Sequence, residues 1–360
     1  MKKICVIFGG KSCEHDVSII TGMQLAKTYN RGIEKIYLGL DNKFYLATKI
    51  TSLKSFENKK NINLKEVFFS QSAVYLKGVI NKKLFDVGCV INCCHGGVGE
   101  NGDLKAFFNL NKIKCSSTSV VSAHITMDKT LTKKIVSDIA KTVKGLQVFK
   151  HDFDVKCEQI DSSFSNNLIV KPNGLGSSIG VKVCDKNNYR QQIKAIFEMN
   201  DSALVEERVV DIVEYNQACM LDDDKLLLSA IEQPTKKSDF LSFEDKYNSQ
   251  SKGKGRDRII PANIPIKLEQ EISKLTRKIY EHLNLEGVVR IDYIYDKKSK
   301  LLYFNEVNTV PGSMAFYLYE AVGIDYLTLI NKLIENTKEC SDYAYFETDV
   351  LKNKEVWTLS

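Results

Sequence analysis

The chain has 360 residues, of which 43% are hydrophobic and 27% are charged. This length provides for two or three domains with their own cores, and the composition is ordinary for a globular protein. The 51 basic and 45 acidic residues give a formal net charge of +6. Because the lysine pairs are scattered along the chain instead of concentrated in one element, the charge pattern argues against a nucleic-acid-binding protein.

The amino-terminal segment superficially resembles a signal peptide, because two lysines precede an apolar run. That run ends after five residues at Gly9-Gly10, whereas the core of a signal peptide needs about 7–15 apolar residues. No apolar stretch reaches the roughly 18 residues needed to span a bilayer. The ten cysteines are scattered along the chain, which favours reduced thiols over a disulfide framework. We therefore expect a cytoplasmic protein that does not act at a membrane.

Residues 1–117 predict an α/β domain. A strand at 3–8 leads through a glycine turn into a helix at about 16–29, where apolar residues recur at helical spacing. A buried strand follows at 85–93 and is broken by two glycines. Shorter β-like segments lie between them, at 36–40, 67–70 and 73–76. The alternation of strands and helix predicts that this domain is built on a parallel sheet.

Two further units are predicted, over residues 118–206 and 207–360. In the second unit, Asp128 is expected to cap a helix that runs to about Ala140. The other elements expected there are strands at 168–170 and 203–206 and a helix at 187–199. The third unit is expected to contain strands at 224–230, 286–295 and 301–306, a polar loop at 234–258, helices at 267–284 and 324–336, and a polar tail after about residue 337.

Four polar residues in the third unit point to a metal and phosphate site. Arg290 and Asp292 are two positions apart in a predicted strand, and Glu306 and Asn308 are two apart in the next strand. Because alternate residues of a strand face the same side, all four can converge. Oxygen ligands of this kind suit Mg²⁺ bound to nucleotide phosphates, and an arginine can stabilise a transferring phosphoryl group. An outward strand face bearing ion pairs explains the same pattern equally well.

The segment from Lys171 to Gly180 follows a predicted strand and is rich in glycine and serine. Its glycines allow the backbone to wrap around an anion, and its serines add hydroxyl donors. The segment fits neither the P-loop pattern nor the dinucleotide-binding pattern. A plain turn is the alternative, but the positions of Lys129 and Lys171 at element boundaries favour phosphate binding.

Two histidines of the first unit follow strands, where open α/β sheets bind ligands. His15 is expected to be a cap or a surface residue, with a functional role as the less favoured alternative. His95 follows an apolar strand, and a functional and a structural role are about equally open for it. Cys93 and Cys94 should point to opposite faces of that strand, which disfavours a zinc site formed with His95.

Seven segments, in order and with compatible spacing, resemble the D-alanine–D-alanine ligase family of ATP-grasp enzymes. They are FGGKSCEHDVS (8–18), HGGVGENG (95–102), SAHITMDK (122–129), VKPNGLGSSIG (170–180), FEDKY (243–247), GVVRID (287–292) and NEVNTVPGS (305–313). The resemblance extends from residue 3 to about residue 336. It implies an ATP-grasp fold of three α/β domains, with ATP held between the central and C-terminal domains.

The resemblance also implies a role for each residue that matches a family motif. The implied ATP-binding residues are Lys129, Lys171, Ser177, Ser178, Glu206, Glu207, Val209 and Glu214. The implied metal ligands, for two Mg²⁺ ions that Mn²⁺ can replace, are Asp292, Glu306 and Asn308. The implied substrate-binding residues are Glu14, His95, Lys246, Tyr317 and Leu318. The implied catalytic groups are Arg290, the backbone N–H of Gly312, and a hydrogen-bonded triad of Glu14, Ser177 and Tyr247.

The reaction implied by the resemblance is the ATP-dependent ligation of two D-alanines through an acyl phosphate, for peptidoglycan precursors, by a homodimer. Tyr317 departs from the family, which usually places a serine there to help bind the carboxylate of the second substrate. Lys246 resembles the ligases that use an amino acid at that position. D-Alanine is therefore the expected second substrate, and D-serine or another small amino acid is the alternative. An inactive nucleotide-binding regulator is a less favoured reading, because the predicted ligand set is complete.

Overall fold

The computed structural model describes residues 2–57, 63–176, 178–235 and 258–340. Most of the predicted polar loop and of the polar tail lies outside these residues, as do the predicted site residues Ser177, Lys246 and Tyr247. The described strands form three sheets that follow one another along the chain. Within the described ranges, every helix is too short or too polar to span a bilayer.

The first sheet is formed by the amino-terminal part of the chain. Its strands are β1 (Lys3–Gly9), β2 (Glu34–Leu38), β3 (Phe44–Leu46), β4 (Lys65–Ser70), β5 (Ala73–Leu76), β6 (Lys82–Asn92) and β7 (Lys114–Cys115). Its helices are α1 (His15–Thr28) and α2 (Asp103–Leu110), and short 3₁₀ turns lie at Leu53–Phe56 and Gly97–Gly99. The strands and the helix predicted for this unit are confirmed.

The prediction of a parallel sheet is correct only for the centre of the first sheet. There β1 pairs in parallel with β2 and β6, and β6 pairs in parallel with β7. From β2 through to β6, successive strands pair antiparallel. The turn between β4 and β5 gives the reason: it consists of Gln71 and Ser72, with φ angles of 45° and 63°. So short a connection can join only antiparallel strands.

The second sheet is antiparallel, with strand order β10-β9-β11-β8. Its strands are β8 (Gly145–Phe149), β9 (Leu168–Pro172), β10 (Lys182–Cys184) and β11 (Ser202–Glu207). The helices of this part of the chain are α3 (Val120–Met127), α4 (Lys129–Val136), α5 (Phe153–Ser163) and α6 (Tyr189–Ile196).

The cap predicted at Asp128 is confirmed, because its carboxylate accepts a hydrogen bond of 2.8 Å from the Leu131 N–H. Helix α4, however, ends at Val136 and not at Ala140. The chain beyond it is drawn toward the third sheet, where the Lys141 carbonyl accepts a 2.8 Å hydrogen bond from the Phe304 N–H.

The third sheet is also antiparallel, with strand order β14-β13-β12-β15-β16. Its strands are β12 (Ile212–Asp222), β13 (Lys225–Pro234), β14 (Arg258–Ile259), β15 (Val289–Asp296) and β16 (Leu301–Asn308). Its helices are α7 (Ile266–His282), α8 (Phe316–Glu320) and α9 (Tyr326–Glu335), and a 3₁₀ turn lies at Gly312–Ala315.

One hydrophobic cluster joins the first and third sheets. It contains Phe8 and Ile91 from the first unit together with Met220, Val310 and Tyr319 from the third unit. Burial of large apolar side chains across this contact stabilises the relative position of the two units. The loops that follow β1, β6 and β16 therefore lie on one shared core.

The two adjacent cysteines after β6 lie on opposite faces, as predicted from strand geometry. Cys93 belongs to the cluster shared with the third unit, and Cys94 belongs to a separate cluster inside the first unit. Burial raises the pKa of both thiols well above the ordinary range. Both side chains therefore serve as small apolar groups in packing.

Candidate active site

A cleft of about 1110 Å³ lies between the second and third sheets. Its size suits a small-molecule ligand, and polar groups from both sheets converge on it. The charged residues that line it are Lys129, Lys171, Glu206, Glu207, Glu214, Arg290, Asp292 and Glu306, and Ser178 and Val209 line it as well. All ten are residues that the sequence comparison with the family singled out, so the fold brings this part of the predicted site together.

Arg290 and Asp292 form a charged pair in the cleft that is joined by two hydrogen bonds. The Nε and Nη2 atoms of Arg290 each donate a hydrogen bond of 2.7 Å to the Asp292 carboxylate. Burial alone would lower the pKa of Arg290, but the adjacent Asp292 outweighs it and holds that pKa well above the ordinary value. The guanidinium is therefore a fixed cation in the wall of the cleft.

The neighbouring strand places two more polar groups beside this pair. Asp292 is the register partner of Glu306, and Arg290 is the register partner of Asn308. The Asn308 amide donates a 3.0 Å hydrogen bond to Asp292. The predicted convergence of these four residues is confirmed by this register. Arg290, Asp292 and Glu306 line the cleft between the two sheets, whereas the alternative was an outward strand face.

Lys171 and Lys133 both contact Glu206 in the second-sheet wall. The Lys171 ammonium lies 2.6 Å from Oε2 of Glu206, and the Lys133 ammonium contacts Oε1. Burial alone would raise the pKa of Glu206, but the two lysines outweigh it and hold that pKa at about 2. The sequence placed Lys133 on a helix and gave it no role, because a lysine in a helix is most often a solvated residue.

Lys129 connects the two walls of the cleft. Its ammonium donates a 2.6 Å hydrogen bond to the Leu175 carbonyl in the glycine-rich segment and lies 3.7 Å from the Glu306 carboxylate. Burial lowers the pKa of Lys129, and Glu306 acts against that shift. Thr130, the next residue, donates to the Asn173 side chain through both its N–H and its hydroxyl. The start of α4 is thus anchored to the glycine-rich segment.

Glu14 reaches this segment from the first unit. A Cβ atom on Gly176 would lie 2.9 Å from Oε2 of Glu14, and a Cβ atom on Gly96 would lie 3.0 Å from the same oxygen. Only glycine allows the Glu14 carboxylate to approach both backbones so closely. The fold therefore places Glu14 beside the position that precedes Ser177.

The chain between the second and third sheets forms one end of the cleft. Strand β11 ends at Glu207 and β12 begins at Ile212, so the connection is short. Glu206, Val209 and Glu214 line the cleft before, within and after this connection. Residues that the resemblance implies for ATP binding thus lie at this end of the cleft.

His95 ties the first unit to the loop that carries Gly312. Its Nδ1 lies 2.7 Å from the Val310 carbonyl, and its Nε2 lies 2.9 Å from Oγ1 of Thr21. Because a carbonyl can only accept, Nδ1 carries a proton and donates to Val310, and in the neutral ring Nε2 accepts from the Thr21 hydroxyl. Thr21 in turn accepts a 3.2 Å hydrogen bond from the Ser313 N–H. Both ring nitrogens of His95 are therefore engaged in holding this loop.

The turn after Gly312 is strained. Ser313, Met314 and Ala315 have φ angles of 51°, 53° and 50°, a left-handed conformation that costs a side-chain-bearing residue on the order of 1–3 kcal/mol. Met314 and Ala315 are buried, and Ser313 is held by Thr21 and Gln24 of α1. Strain that is maintained by so many contacts is typical of a functional loop.

Thr21→Val is expected to lower the free energy of unfolding by about 1–3 kcal/mol. The substitution keeps the shape of the side chain but leaves the buried His95 Nε2 and the Ser313 N–H without a partner. Urea unfolding measures the loss. The matched control is Thr28→Val on the same helix, where the lost bond is a 3.1 Å bond to the Gln24 carbonyl. Equal losses in the two variants would contradict the bridging role of Thr21.

The Tyr317 hydroxyl donates its hydrogen bond to Glu232 and not into the cleft. The hydroxyl donates to Oε2 of Glu232 over 3.3 Å, and the Arg258 guanidinium lies 4.6 Å from the centre of the ring. Burial first, and Glu232 second, raise the pKa of Tyr317 to about 12. Leu318 is fully buried in the cluster shared by the first and third units, so its side chain contributes packing.

Two other side chains of the first unit differ from expectation or were missed. His15 is buried and not a cap or surface residue, because its Nδ1 lies 2.7 Å from the Gly10 carbonyl and its Nε2 lies 3.1 Å from the Tyr37 hydroxyl. Glu100 was not singled out, yet its carboxylate lies 3.8 Å from the His95 ring. Burial raises the pKa of Glu100, and His95 acts against that shift. The segment HGGVGENG that contains Glu100 was the available signal.

The same features appear in known proteins. Two family models match the chain: D-ala D-ala ligase N-terminus over residues 3–118 and D-ala D-ala ligase C-terminus over residues 138–335. A D-alanine–D-alanine ligase of Campylobacter jejuni subsp. doylei is 33% identical over 336 residues, which are 92% of each chain. The structure of D-alanine–D-alanine ligase from Helicobacter pylori superposes with a TM-score of 0.79 at 25% identity and covers 94% of this chain and 99% of that chain. The VanG D-Ala:D-Ser ligase of Enterococcus faecalis gives 0.80 and 26%, with the same coverage.

The three sheets, the charged cleft between the second and third of them, and these structural neighbours define an ATP-grasp enzyme. The fold class predicted from the sequence is thereby confirmed. Since both family models match and the similarity to the relatives runs through most of the chain, the chain belongs to the D-alanine–D-alanine ligase family.

Proposed function

We propose that this chain joins two D-alanines into D-alanyl-D-alanine, a peptidoglycan precursor, with ATP and Mg²⁺. The observation that carries the proposal is the cleft, in which Lys129 and Lys171 face Asp292 and Glu306. Phosphates require cations and a divalent metal requires oxygen ligands, and this cleft provides both side by side. The names of the related proteins described above support the same reaction.

The first step activates the first D-alanine. Glu14 receives the ammonium group of this D-alanine. A carboxylate oxygen of the D-alanine attacks the γ-phosphorus of ATP while the bond to the β–γ bridging oxygen breaks. ADP leaves with the electron pair, and the D-alanine becomes an acyl phosphate. Lys129 and Lys171 bind the phosphates, and Arg290 stabilises the charge on the transferring group. Because Asp292 holds Arg290 in one orientation, the cation does not have to reorganise.

Asp292, Glu306 and Asn308 fit the chemistry of a magnesium site, since they offer carboxylate and amide oxygens on two adjacent strands. We propose that they hold two Mg²⁺ ions, which Mn²⁺ can replace. When bound, the metal supplies charge neutralisation to the phosphates. The contribution of the chain is orientation, because Arg290 and Asn308 fix the Asp292 carboxylate through hydrogen bonds.

The second step forms the peptide bond. The amine of the second D-alanine attacks the acyl carbonyl carbon, a proton is lost from the amine, and phosphate leaves from the tetrahedral intermediate. Arg290 and the Gly312 N–H stabilise the oxyanion. A Cβ atom on Gly312 would meet no described atom within 4 Å, so there is room for a substrate beside this backbone. His95 contributes by holding the Gly312 loop.

Water must be excluded, because it would hydrolyse the acyl phosphate. We propose that the glycine-rich segment closes over the phosphates and that the triad of Glu14, Ser177 and Tyr247 holds it there. The approach of Glu14 to Gly176 supports this role. The hinge at Glu206, Glu207 and Val209 would hold the base, and Glu214 the ribose.

D-Serine is the second candidate for the second substrate. The hydrogen bond between Tyr317 and Glu232 is the observation that supports this alternative. The family serine donates a hydroxyl to the substrate carboxylate, whereas the Tyr317 hydroxyl donates to Glu232. The carboxylate of the second substrate would then depend on Lys246 and on the backbone at Leu318. A changed carboxylate site can shift the preference between small amino acids.

The remaining features of the proposal rest on the composition, on the charge pattern and on the resemblance to the family. We propose that the protein acts in the cytoplasm, on small molecules and without a nucleic-acid partner. We further propose a homodimer formed through the N-terminal domain, and domains at residues 1–117, 118–206 and 207–360.

Phosphate release from ATP and Mg²⁺ tests the proposal. D-Alanine is supplied alone and then paired with D-serine, D-lactate or L-alanine, and the products are identified by mass. Release that requires D-alanine and yields D-alanyl-D-alanine is expected. If D-alanine alone gives no release and another pair is ligated, the mechanism stands and the second substrate is different. Absence of release with every pair would contradict the proposal, and a reaction without amino acid serves as the control.

A further inference from the structure

Lys133 is buried behind the cleft and close to it. Its side chain is 8% exposed and that of its partner Glu206 is 5% exposed. Lys133 is not among the described residues that line the cleft, whereas Glu206 and Lys171 are. Lys133 can therefore affect a ligand only through side chains that line the cleft, and those it acts on are Glu206 and Lys171. Burying a lysine is costly, so its position requires a compensating partner or a function.

The geometry separates Lys133 from the lysine one helical turn earlier. Lys129 and Lys133 lie four residues apart on α4 and so share one face of the helix. Lys129 reaches the Leu175 carbonyl and Glu306 at the cleft, while Lys133 reaches Glu206 deeper in the structure. The two lysines therefore have different partners and different tasks.

The two oxygens of Glu206 are divided between two lysines. Oε1 contacts Lys133, and Oε2 lies 2.6 Å from Lys171. When the phosphates of a nucleotide bind Lys171, as the proposed function requires, Oε2 loses its partner. An adenine at the adjacent hinge offers an exocyclic N–H to such an oxygen, whereas guanine presents a carbonyl at the same position. A carboxylate would repel that carbonyl.

We propose that Lys133 is a positioning residue that determines base specificity. As the counter-ion of Oε1, it keeps Glu206 ionised and oriented when Lys171 turns to the phosphates. Oε2 then accepts a hydrogen bond from the amino group of adenine and disfavours guanine. The inference rests on the proposed function, because it requires a nucleotide in the cleft. The charged groups that act most strongly on Glu206 are Lys133 on α4 and Lys171 on β9. Lys129 on α4 interacts with Glu206 as well, and Glu306 on β16 acts on all three lysines.

Calorimetric binding of Mg²⁺-ADP and Mg²⁺-GDP to the full chain tests the proposal. In Lys133→Met, the ADP affinity and the preference for ADP over GDP are each expected to fall by about tenfold or more. Without its counter-ion the Glu206 carboxyl can take up a proton, and the protonated acid can donate to the guanine carbonyl. Lys133→Arg, which keeps the charge, is expected to keep the ADP preference within about threefold of the wild type.

Lys134→Met is the matched control, because Lys134 is the next residue of α4 and is exposed. It is expected to leave both affinities unchanged. An unchanged ADP preference in a folded Lys133→Met protein would overturn the proposal and leave Lys133 a structural ion pair. If Lys133→Met does not fold, the ADP and GDP affinities of Lys133→Gln are measured instead, and an unchanged ADP preference would again overturn the proposal. Failure of the wild type to bind either nucleotide would instead contradict the proposed function.

Discussion

Arg290→Ala is expected to lower turnover by a factor of about 10²–10³ while the fold survives. The wild-type guanidinium is aligned by two hydrogen bonds of 2.7 Å to Asp292, so it meets the developing charge of the phosphoryl group without reorganising. Alanine removes that cation and leaves only the lysines and the metal to stabilise the charge. Phosphate release at saturating ATP and D-alanine measures the loss.

The matched control for this prediction is Arg277→Ala on α7. The Arg277 guanidinium donates a 3.0 Å hydrogen bond to the Leu226 carbonyl and does not line the cleft within the described residues. Its loss is expected to leave turnover within about twofold of the wild type. Circular dichroism of both variants separates a loss of catalysis from a loss of fold. Near-normal turnover in Arg290→Ala would remove this residue from the mechanism.

The part of the site on β15 and β16 could be predicted from the sequence for a local reason. In a strand the direction of a side chain depends only on whether its position is odd or even. Arg290 and Asp292 therefore had to share a face wherever the strand lay. The register between the two strands could not be predicted this way, and the structure supplies it by placing Asp292 opposite Glu306.

The residues that were missed depend on contacts between distant parts of the chain. Lys133 has a partner in Glu206, which lies 73 positions away, and the Tyr317 hydroxyl donates a hydrogen bond to Glu232, 85 positions away. Spacing along one element carries no information about such pairs. His15 was placed wrongly for the same reason, because this first residue of α1 is buried against Tyr37 of β2.

The fold was predicted well where an element is periodic and apolar. Strand β12 was missed because polar residues are buried on both of its faces: the adjacent Asn216 and Gln217 are both buried. The Asn216 amide N–H donates to Glu232 and the Gln217 amide N–H donates to the Ser229 carbonyl, so both buried amide groups have acceptors inside the sheet. A sequence pattern that treats polarity as exposure therefore misses a strand that forms part of a polar site.

Asp292→Asn is expected to affect both the bound metal ion and Arg290, because Asp292 contacts each of them in the proposed mechanism. As a metal ligand it loses its charge, so the Mg²⁺ concentration for half-maximal activity should rise by about tenfold or more. As the partner of Arg290 it loses one acceptor oxygen, so the guanidinium should become less ordered and turnover at saturating Mg²⁺ should fall by about 10². A Mg²⁺ titration of phosphate release measures both effects in one experiment.

The control for this prediction is Asp296→Asn at the far end of the same strand. Asp296 accepts hydrogen bonds from the Lys298 N–H and the Ser299 hydroxyl in the turn after β15, so its loss should leave the Mg²⁺ titration unchanged. The two roles of Asp292 can be separated, because only the metal role moves the midpoint of the titration. An unchanged midpoint with reduced turnover would leave Asp292 as the partner of Arg290 alone and would place the metal on other ligands.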